Sequence, residues 1–165
     1  MNFEEICWVL FSQFGEEAFV VFNQKSNQPI LKVSVDKLHE VCFFLNQDER
    51  LYFDYLACIS GIDNGPESGT LEVVYHLTSI PYEHNLTLKV ETTRQLDAKV
   101  ACVPTLSDIW KSANWLERET YDLIGIQFEG HSDLRRILLP NDWQGFPLRK
   151  DYQAQESYHG IKVIY

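Results

Sequence analysis

Carboxylates and a histidine that could carry out acid–base chemistry or bind a metal are concentrated between residues 114 and 131. On a helix, Glu119 and Asp122 share one face, and like charges at this spacing repel each other unless a cation lies between them. Together with Glu117 and His131 they could act as acid and base or bind a divalent metal ion. A free-standing acid–base or metal enzyme is therefore one interpretation of this segment.

Ion pairing is the second interpretation of the same carboxylates. Arg118 lies among them, and a guanidinium in that position favours ion pairs over a metal ion. We expect the later part of the chain to fold back, or a partner protein to approach, so that arginine meets the acidic face, for example as a pair of Glu119 with Arg135. His131 follows a glycine and is expected to order a turn. The residues predicted for this ion-pair and interface region are Trp115, Glu117, Arg118, Glu119, Asp122, His131, Asp133, Arg135, Arg136, Trp143, Arg149, Lys150 and Asp151.

The other chemistry-bearing residues lack the spacing of a known site. The sequence contains no Cys-x-x-Cys, no His-Glu-x-x-His, and no glycine-rich nucleotide loop. We therefore predict that the chain has no catalytic, cofactor-binding or metal-binding residues. The cysteines are expected to stay reduced and to pack as small apolar side chains; they are Cys7, Cys42, Cys58 and Cys102.

Apolar periodicity indicates the elements that must position these residues. Helical spacing predicts helices at 2–14 and 35–46 and a third at 106–124, either continuous or bent near 112–114, which would carry the acidic face. Thr105 and Asp108 resemble a capping box at its start, and Gly125 is typical of a helix end. Strands are predicted at 18–22, 30–35, 52–62, 71–78 and 86–92, with a turn at 23–28 and a hairpin between the last two strands.

The predicted fold class is α+β, with two layers in which a mixed or antiparallel sheet is covered by helices. Residues 1–125 would form this domain. Glycine and proline interrupt residues 126–165, which are predicted to form an extended C-terminal arm with one short strand at 136–139, packed on partner proteins or on its own domain. Trp8 and Trp110 are expected in the core, whereas Trp115 and Trp143 suit interface anchors.

Charge and hydropathy exclude several classes of partner. The 165 residues carry a net charge of −10, which repels a phosphate backbone, so no nucleic-acid partner is expected. No apolar run reaches the roughly 18–20 residues that cross a bilayer, so no direct membrane insertion is expected. The acidic start of the chain is unlike a signal peptide, and we expect the protein in the cytosol.

A long segment resembles a known family. Residues 113–126, ANWLERETYDLIGI, are similar to the signature helix of the C subunit of the proton-pumping NADH:quinone oxidoreductase (respiratory complex I, NDH-1), the 30 kDa subunit family. FEGH at 128–131, DLRRILLP at 133–140 and PLRKDY at 147–152 continue the similarity, which covers roughly residues 50–152. The sequence departs from the family pattern at Ser132, where proline is usual, and at Phe146, where histidine is usual.

This resemblance implies a cofactor-free, structural component of the peripheral arm, on the cytoplasmic side of the cell inner membrane. Its partners would be the D, B and I subunits of complex I, while FMN, iron–sulfur clusters, NADH and quinone would be bound by other subunits. The chain would belong to an enzyme only through that translocase complex. The alternative within the same superfamily is the equivalent component of a membrane-bound hydrogenase or of a ferredoxin- or F420-linked dehydrogenase.

Overall fold

The computed structural model describes residues 1–22, 28–94 and 101–162. A capping box at Asn2 begins the first helix, where the side chains of Asn2 and Glu5 each accept the other's backbone amide. The helices are α1 (Phe3–Phe14), α2 (Val35–Gln47) and α3 (Ala113–Ile124), with a short 3-10 turn at Glu16–Ala18. The strands are β1 (Phe19–Phe22), β2 (Ile30–Val33), β3 (Tyr55–Asp63), β4 (Thr70–Ser79), β5 (His84–Thr93), β6 (Cys102–Pro104), β7 (Gln127–Glu129), β8 (Ser157–Tyr158) and β9 (Ile161–Lys162).

The first five strands form one mixed sheet in the order β1-β2-β5-β4-β3. β2 and β5 run parallel, and the other neighbours run antiparallel. β4 and β5 form the predicted hairpin, with Ser79 paired to His84 beside the turn. The predicted turn at 23–28 falls largely on residues outside the described part of the chain.

The core lies on one face of this sheet. β4 directs Leu71, Val73, Tyr75 and Leu77 into it, and all three helices add buried apolar side chains to the same cluster. The opposite face carries cross-strand ion pairs such as Lys89–Glu72, with 3.0 Å between nitrogen and oxygen. The fold is therefore the predicted two-layer α+β arrangement, with helices on one face.

The third helix is shorter than predicted. α3 begins at Ala113, and residues 107–109 and 111–112 form turns, so the prediction of a continuous helix from 106 to 124 is wrong, and the chain leaves helical geometry before the position where a bend was the alternative. The Thr105 hydroxyl binds the Glu117 carboxylate and the Ser107 hydroxyl, and it does not cap a helix with Asp108. Thr105 is thereby tied to a residue inside α3, and the chain between them forms a connecting loop.

A second, two-stranded sheet extends the core beyond the predicted domain end. β6 and β7 run parallel, with Val103 opposite Phe128. Ile126 and Phe128 are buried in the main core, so the chain contributes to it three residues past position 125. The strand predicted at 136–139 is absent from the structure, which has bends there.

The tryptophans and cysteines divide between core and surface. Trp110 is buried and its indole nitrogen donates to the carbonyl of Phe53, but Trp8 is 69% exposed, so its prediction as a core residue is wrong. Cys7 and Cys42 are buried, Cys58 and Cys102 are half-buried, and all four are unpaired. No helix in the described ranges is long and apolar enough to cross a membrane.

Candidate assembly site on helix α3 and the C-terminal arm

Asp122 is the centre of the site. Its side chain is fully buried, and Oδ2 accepts hydrogen bonds from three successive backbone amides, those of Ile137, Leu138 and Leu139, at 3.0, 2.7 and 2.8 Å. Oδ1 accepts from Nη1 of Arg136 at 2.7 Å. Burial alone would raise the pKa of Asp122, but these hydrogen bonds outweigh it and hold the pKa below its usual range. The carboxylate is thus a fixed negative charge that organises the arm.

Arg136 extends this organisation along the arm. Its Nη2 donates to the carbonyls of Trp143 and Gly145, at 3.1 and 2.9 Å. The arginine therefore joins α3 to residues up to nine positions further along the chain. The Asp122 carboxylate also explains why residues 136–139 form no strand. The backbone amides of residues 137–139, which in a strand would bind a neighbouring strand, all donate to Oδ2 of Asp122.

Glu117 is a second buried carboxylate, on the other side of α3. Its oxygens accept from the Thr105 hydroxyl at 2.5 Å and from the Leu106 amide at 2.7 Å. Burial raises the pKa of Glu117 to about 7, against the opposing effect of these two hydrogen bonds. Glu117 therefore holds the loop before α3 in place.

His131 is tied to the backbone by both ring nitrogens. Nδ1 accepts from the amide of Asp133 at 3.0 Å, and Nε2 lies 3.0 Å from the carbonyl of Asn114. The ring thereby joins the start of α3 to the turn that follows β7. Its Nε2 is 4.0 Å from Glu117, beyond hydrogen-bond distance.

The four residues of the acid–base or metal interpretation do not converge on one centre. Glu117 faces the 105–106 loop and Asp122 faces the arm, while Glu119 is exposed. Within the described ranges, no three histidine, cysteine, aspartate or glutamate side chains are placed to hold a metal ion.

A second group of hydrogen bonds and ion pairs, which we call the Asp63 clasp, holds the arm at the end of β3. Asp63 is buried and accepts from the backbone amides of Lys150 and Gly65, at 2.8 and 2.9 Å. Arg94 pairs with Asp63 at 3.0 Å and also with Asp151. Burial opposes ionisation of Asp63, but the amides and Arg94 together hold its pKa below the usual range.

Arg94 and Asp63 were not among the predicted site residues. A weak signal exists in the sequence, because each is a charged residue at the end of a predicted strand: Asp63 follows an apolar run, and Arg94 follows the 86–92 strand. Their proximity depends on β3 and β5 both flanking β4, which sequence periodicity does not reveal.

Arg149 and Phe146 close the carboxyl end of α3. Nε of Arg149 donates to the carbonyl of Ile124 at 2.6 Å, where a cation also meets the negative end of the helix dipole. The Phe146 ring has the guanidiniums of Arg136 and Arg149 at 5.4 and 4.8 Å from its centre. It also lies against Gly125, whose φ is +80° and where a Cβ would be 2.5 Å from the ring. Phe146, one of the two residues that depart from the family pattern, thus contacts two guanidiniums and the glycine at the end of α3.

The remaining predicted residues lie around this centre. The predicted pair of Glu119 with Arg135 is not formed, since Arg135 is 70% exposed and binds Asp133 at 3.0 Å. Arg118 donates to the carbonyls of Arg135 and Arg136. Its guanidinium also stacks 5.4 Å from the ring centre of Trp115, which is 64% exposed.

The hydrogen bonds of Asp122, the Asp63 clasp and the stacking side chains thus make residues 136–151 part of the folded unit. Trp143 contributes through its indole nitrogen, which donates to the Tyr152 hydroxyl at 3.1 Å. The charges of this region are used to position the chain.

Sequence comparisons identify relatives of this chain. Residues 31–158 match the family model described as respiratory-chain NADH dehydrogenase, 30 Kd subunit. The chain is 45% identical to the NADH-quinone oxidoreductase C subunit of Chloroherpeton thalassium over 95% of its length, but spans only 63% of that protein. It is 42% identical to the C subunit of Chlorobium phaeobacteroides, covering 95% of this chain and 92% of the relative. The NADH-quinone oxidoreductase C/D subunit of Serratia proteamaculans is 39% identical over 88% of this chain, which covers 25% of that relative.

Solved structures share the fold. A chain of the membrane-bound sulfane sulfur reductase, an archaeal respiratory membrane complex, superposes with a TM-score of 0.74 at 25% identity, covering 91% of this chain and 85% of its own. A trypsin-resistant fragment (1–134) of Nqo5 gives a TM-score of 0.62 at 27% identity, covering 78% of this chain and 99% of the fragment.

Proposed function

We propose that this chain, which belongs to the respiratory-chain NADH dehydrogenase 30 kDa subunit family, is a cofactor-free structural and assembly component of a proton-translocating NADH:quinone oxidoreductase. The observation that supports this role is the Asp122 cluster, in which a buried carboxylate binds three amides and an arginine of the arm. A carboxylate saturated in this way is unsuited to proton transfer or metal binding. It is well suited to presenting a rigid arm to a neighbouring protein.

We propose the D, B and I subunits of complex I as the neighbours, with FMN, iron–sulfur clusters, NADH and quinone bound by other subunits. The relatives named as C/D subunits, in which the segment similar to this chain is part of a longer protein, support contact with the D subunit. Helix α3 and the arm offer exposed apolar side chains for such contacts, namely Trp115 on α3 and Leu138 and Leu148 on the arm. The complex would place the chain peripherally, on the cytoplasmic side of the inner membrane.

Affinity purification of the tagged full chain from native membranes tests this function. We expect recovery of a large complex that contains flavin and iron–sulfur clusters and reduces quinone with NADH. The tagged chain expressed alone should carry neither flavin nor iron absorbance. A soluble monomer with bound metal, recovered from the same cells, would refute the proposal.

The second candidate is the equivalent component of a related respiratory membrane complex. The similarity to the archaeal sulfane sulfur reductase chain, with its TM-score of 0.74, favours this candidate. The electron donor of the recovered complex distinguishes the two. Oxidation of NADH with quinone reduction supports the first candidate, whereas dependence on ferredoxin or hydrogen supports the second.

A further inference from the structure

An aromatic surface lies at the end of the molecule away from the Asp63 clasp and the hydrogen bonds of Asp122. Trp8, on the solvent side of α1, lines a groove of about 610 Å³ together with Met1, Val9 and Arg50. An indole that is 69% exposed on a well-formed helix is unusual, because tryptophan buries more apolar area than other side chains when it finds a partner.

Direct contacts link the residues of the groove to the β4–β5 hairpin. The amino group of Met1 lies 3.4 Å from Nδ1 of His84, and the His84 ring is 5.8 Å from that of Tyr82. Tyr82 in turn donates from its hydroxyl to the carbonyl of Glu49, the neighbour of Arg50. The exposed apolar members of this region, which we call the Trp8 surface, are Met1, Trp8, Tyr52, Ile80 and Tyr82.

The backbone around the Trp8 surface is held in costly conformations. Tyr52 has φ of 38° and Glu83 has φ of 54°, and only three non-glycine residues of the described ranges have positive φ. Such conformations persist where the surrounding structure imposes them, and they are enriched at functional sites. Here they place an aromatic and an acidic side chain on the surface.

The charge around the Trp8 surface is strongly negative. Among the described residues that line the groove, Arg50 has the one basic side chain, and it is neutralised by Asp48 through two hydrogen bonds of 2.9 and 2.7 Å. The Met1 amino group adds one positive charge, which the more numerous carboxylates nearby outweigh. This field would repel both an anionic lipid surface and the same surface on a second copy of the chain, and it would attract lysine and arginine. The acidic residues nearby are Glu4, Glu5, Glu49, Asp54 and Glu83.

We propose that the Trp8 surface is a docking site for a basic segment of a neighbouring protein in the complex, one in which lysine or arginine flanks an apolar side chain that fills the groove. This proposal rests on the proposed function, since it assumes that the chain works within a complex. The surface is at the Tyr55 end of β3, where Asp54 accepts from the Ile80 amide, and the Asp63 clasp is at the other end. The chain would therefore contact partners at both ends of its sheet.

Photo-cross-linking in the assembled complex tests the proposal. Trp8 is replaced by benzoylphenylalanine in the full chain, and Phe43, an equally apolar exposed residue on α2, is replaced in a control variant. After irradiation of the purified complex, we expect position 8 to cross-link to a peptide of another subunit that carries excess lysine and arginine, and position 43 not to reach that peptide.

The outcomes separate this inference from the proposed function. If the variant is present in the complex but position 8 cross-links only to lipid, to a second copy or to an acidic peptide, or does not cross-link, the docking site is refuted and the function stands. If the chain is absent from any membrane complex, both are refuted.

Two substitutions give an independent measurement. In cells that also produce the tagged original chain, Trp8→Ala should enter the complex about 30-fold less efficiently than its competitor, as for a hot-spot aromatic, whereas Phe43→Ala should compete equally. Glu4→Lys should lower the cross-link yield from position 8, and Glu67→Lys, a charge reversal in an exposed loop elsewhere, should leave it unchanged. Equal behaviour of the members of either pair would overturn the proposal.

Discussion

Replacing Asp122 with asparagine should detach the arm while leaving the sheet folded. An asparagine side chain has one oxygen, whereas the native carboxylate accepts from three amides and from Arg136 at 2.7–3.0 Å. Whichever way the amide group turns, its NH2 faces donors, so either the backbone amides or the guanidinium lose their acceptor. Breaking a buried charged pair costs about 3–5 kcal/mol.

Hydrogen exchange measures this loss directly. If the arm opens locally, the amides of Ile137, Leu138 and Leu139 should exchange roughly 10²- to 4 × 10³-fold faster in Asp122→Asn, since each 1.4 kcal/mol is a factor of ten. Amides in β4 should be far less affected. Asp133→Asn is the matched control, because Asp133 is 49% exposed and its partner Arg135 is more exposed still, so its loss should change exchange little.

Two results would refute this reasoning. Equal exchange of the three arm amides in the two variants would mean that Asp122 does not hold the arm. Loss of protection throughout β4 would mean that the arm and the sheet unfold as one unit.

In the native chain, the depressed pKa of Asp122 implies a stabilisation that is present above the ordinary aspartate pKa, near 3.9, and lost only as the pH falls further.

Three further substitutions probe the neighbouring contacts. The pKa of Glu117 is raised from 4.5 to about 7, so its contribution to the free energy of unfolding is complete below pH 4.5 and declines as the pH rises to 7. Glu117→Gln should abolish that decline when urea unfolding is measured across this pH range. An unchanged dependence of the free energy of unfolding on pH would contradict this. Phe146→His restores the residue usual in the family, and the guanidiniums of Arg136 and Arg149 should hold the imidazole pKa below about 6.5; an NMR titration at or above that value would contradict this. Gly61→Ala places a methyl group 2.8 Å from a side chain of α3 and should destabilise the fold by about 1–3 kcal/mol; an unchanged urea midpoint would contradict it.

Periodicity predicted the helices and strands that bury a regular apolar stripe. α1, α2 and the β4–β5 hairpin follow the sequence closely because local spacing alone sets which side faces the core. Trp8 shows the limit of this reasoning: its hydrophobicity suggested the core, but α1 turns Ile6, Val9 and Leu10 inward and leaves the indole outside.

The sequence indicated which residues form the site more reliably than it indicated which of them contact one another. The sequence indicated that arginines of the arm would meet carboxylates of α3, and Arg136 does meet Asp122. It suggested the wrong partner for Glu119, and it predicted a strand at 136–139 where three amides instead bind one carboxylate. Both errors concern contacts between distant segments, which depend on the path of the chain between them and leave no local periodic signal.

The Asp63 clasp has a consequence for the order in which the protein matures. Its hydrogen bond to the amide of Lys150 joins residues 87 positions apart, and Arg94 can reach Asp63 only after β3 and β5 have both paired with β4. Contacts of such long range form late in folding. A chain emerging from the ribosome is therefore expected to hold its arm in the docked position only when the sheet is complete, so the position of the arm reports the state of the sheet.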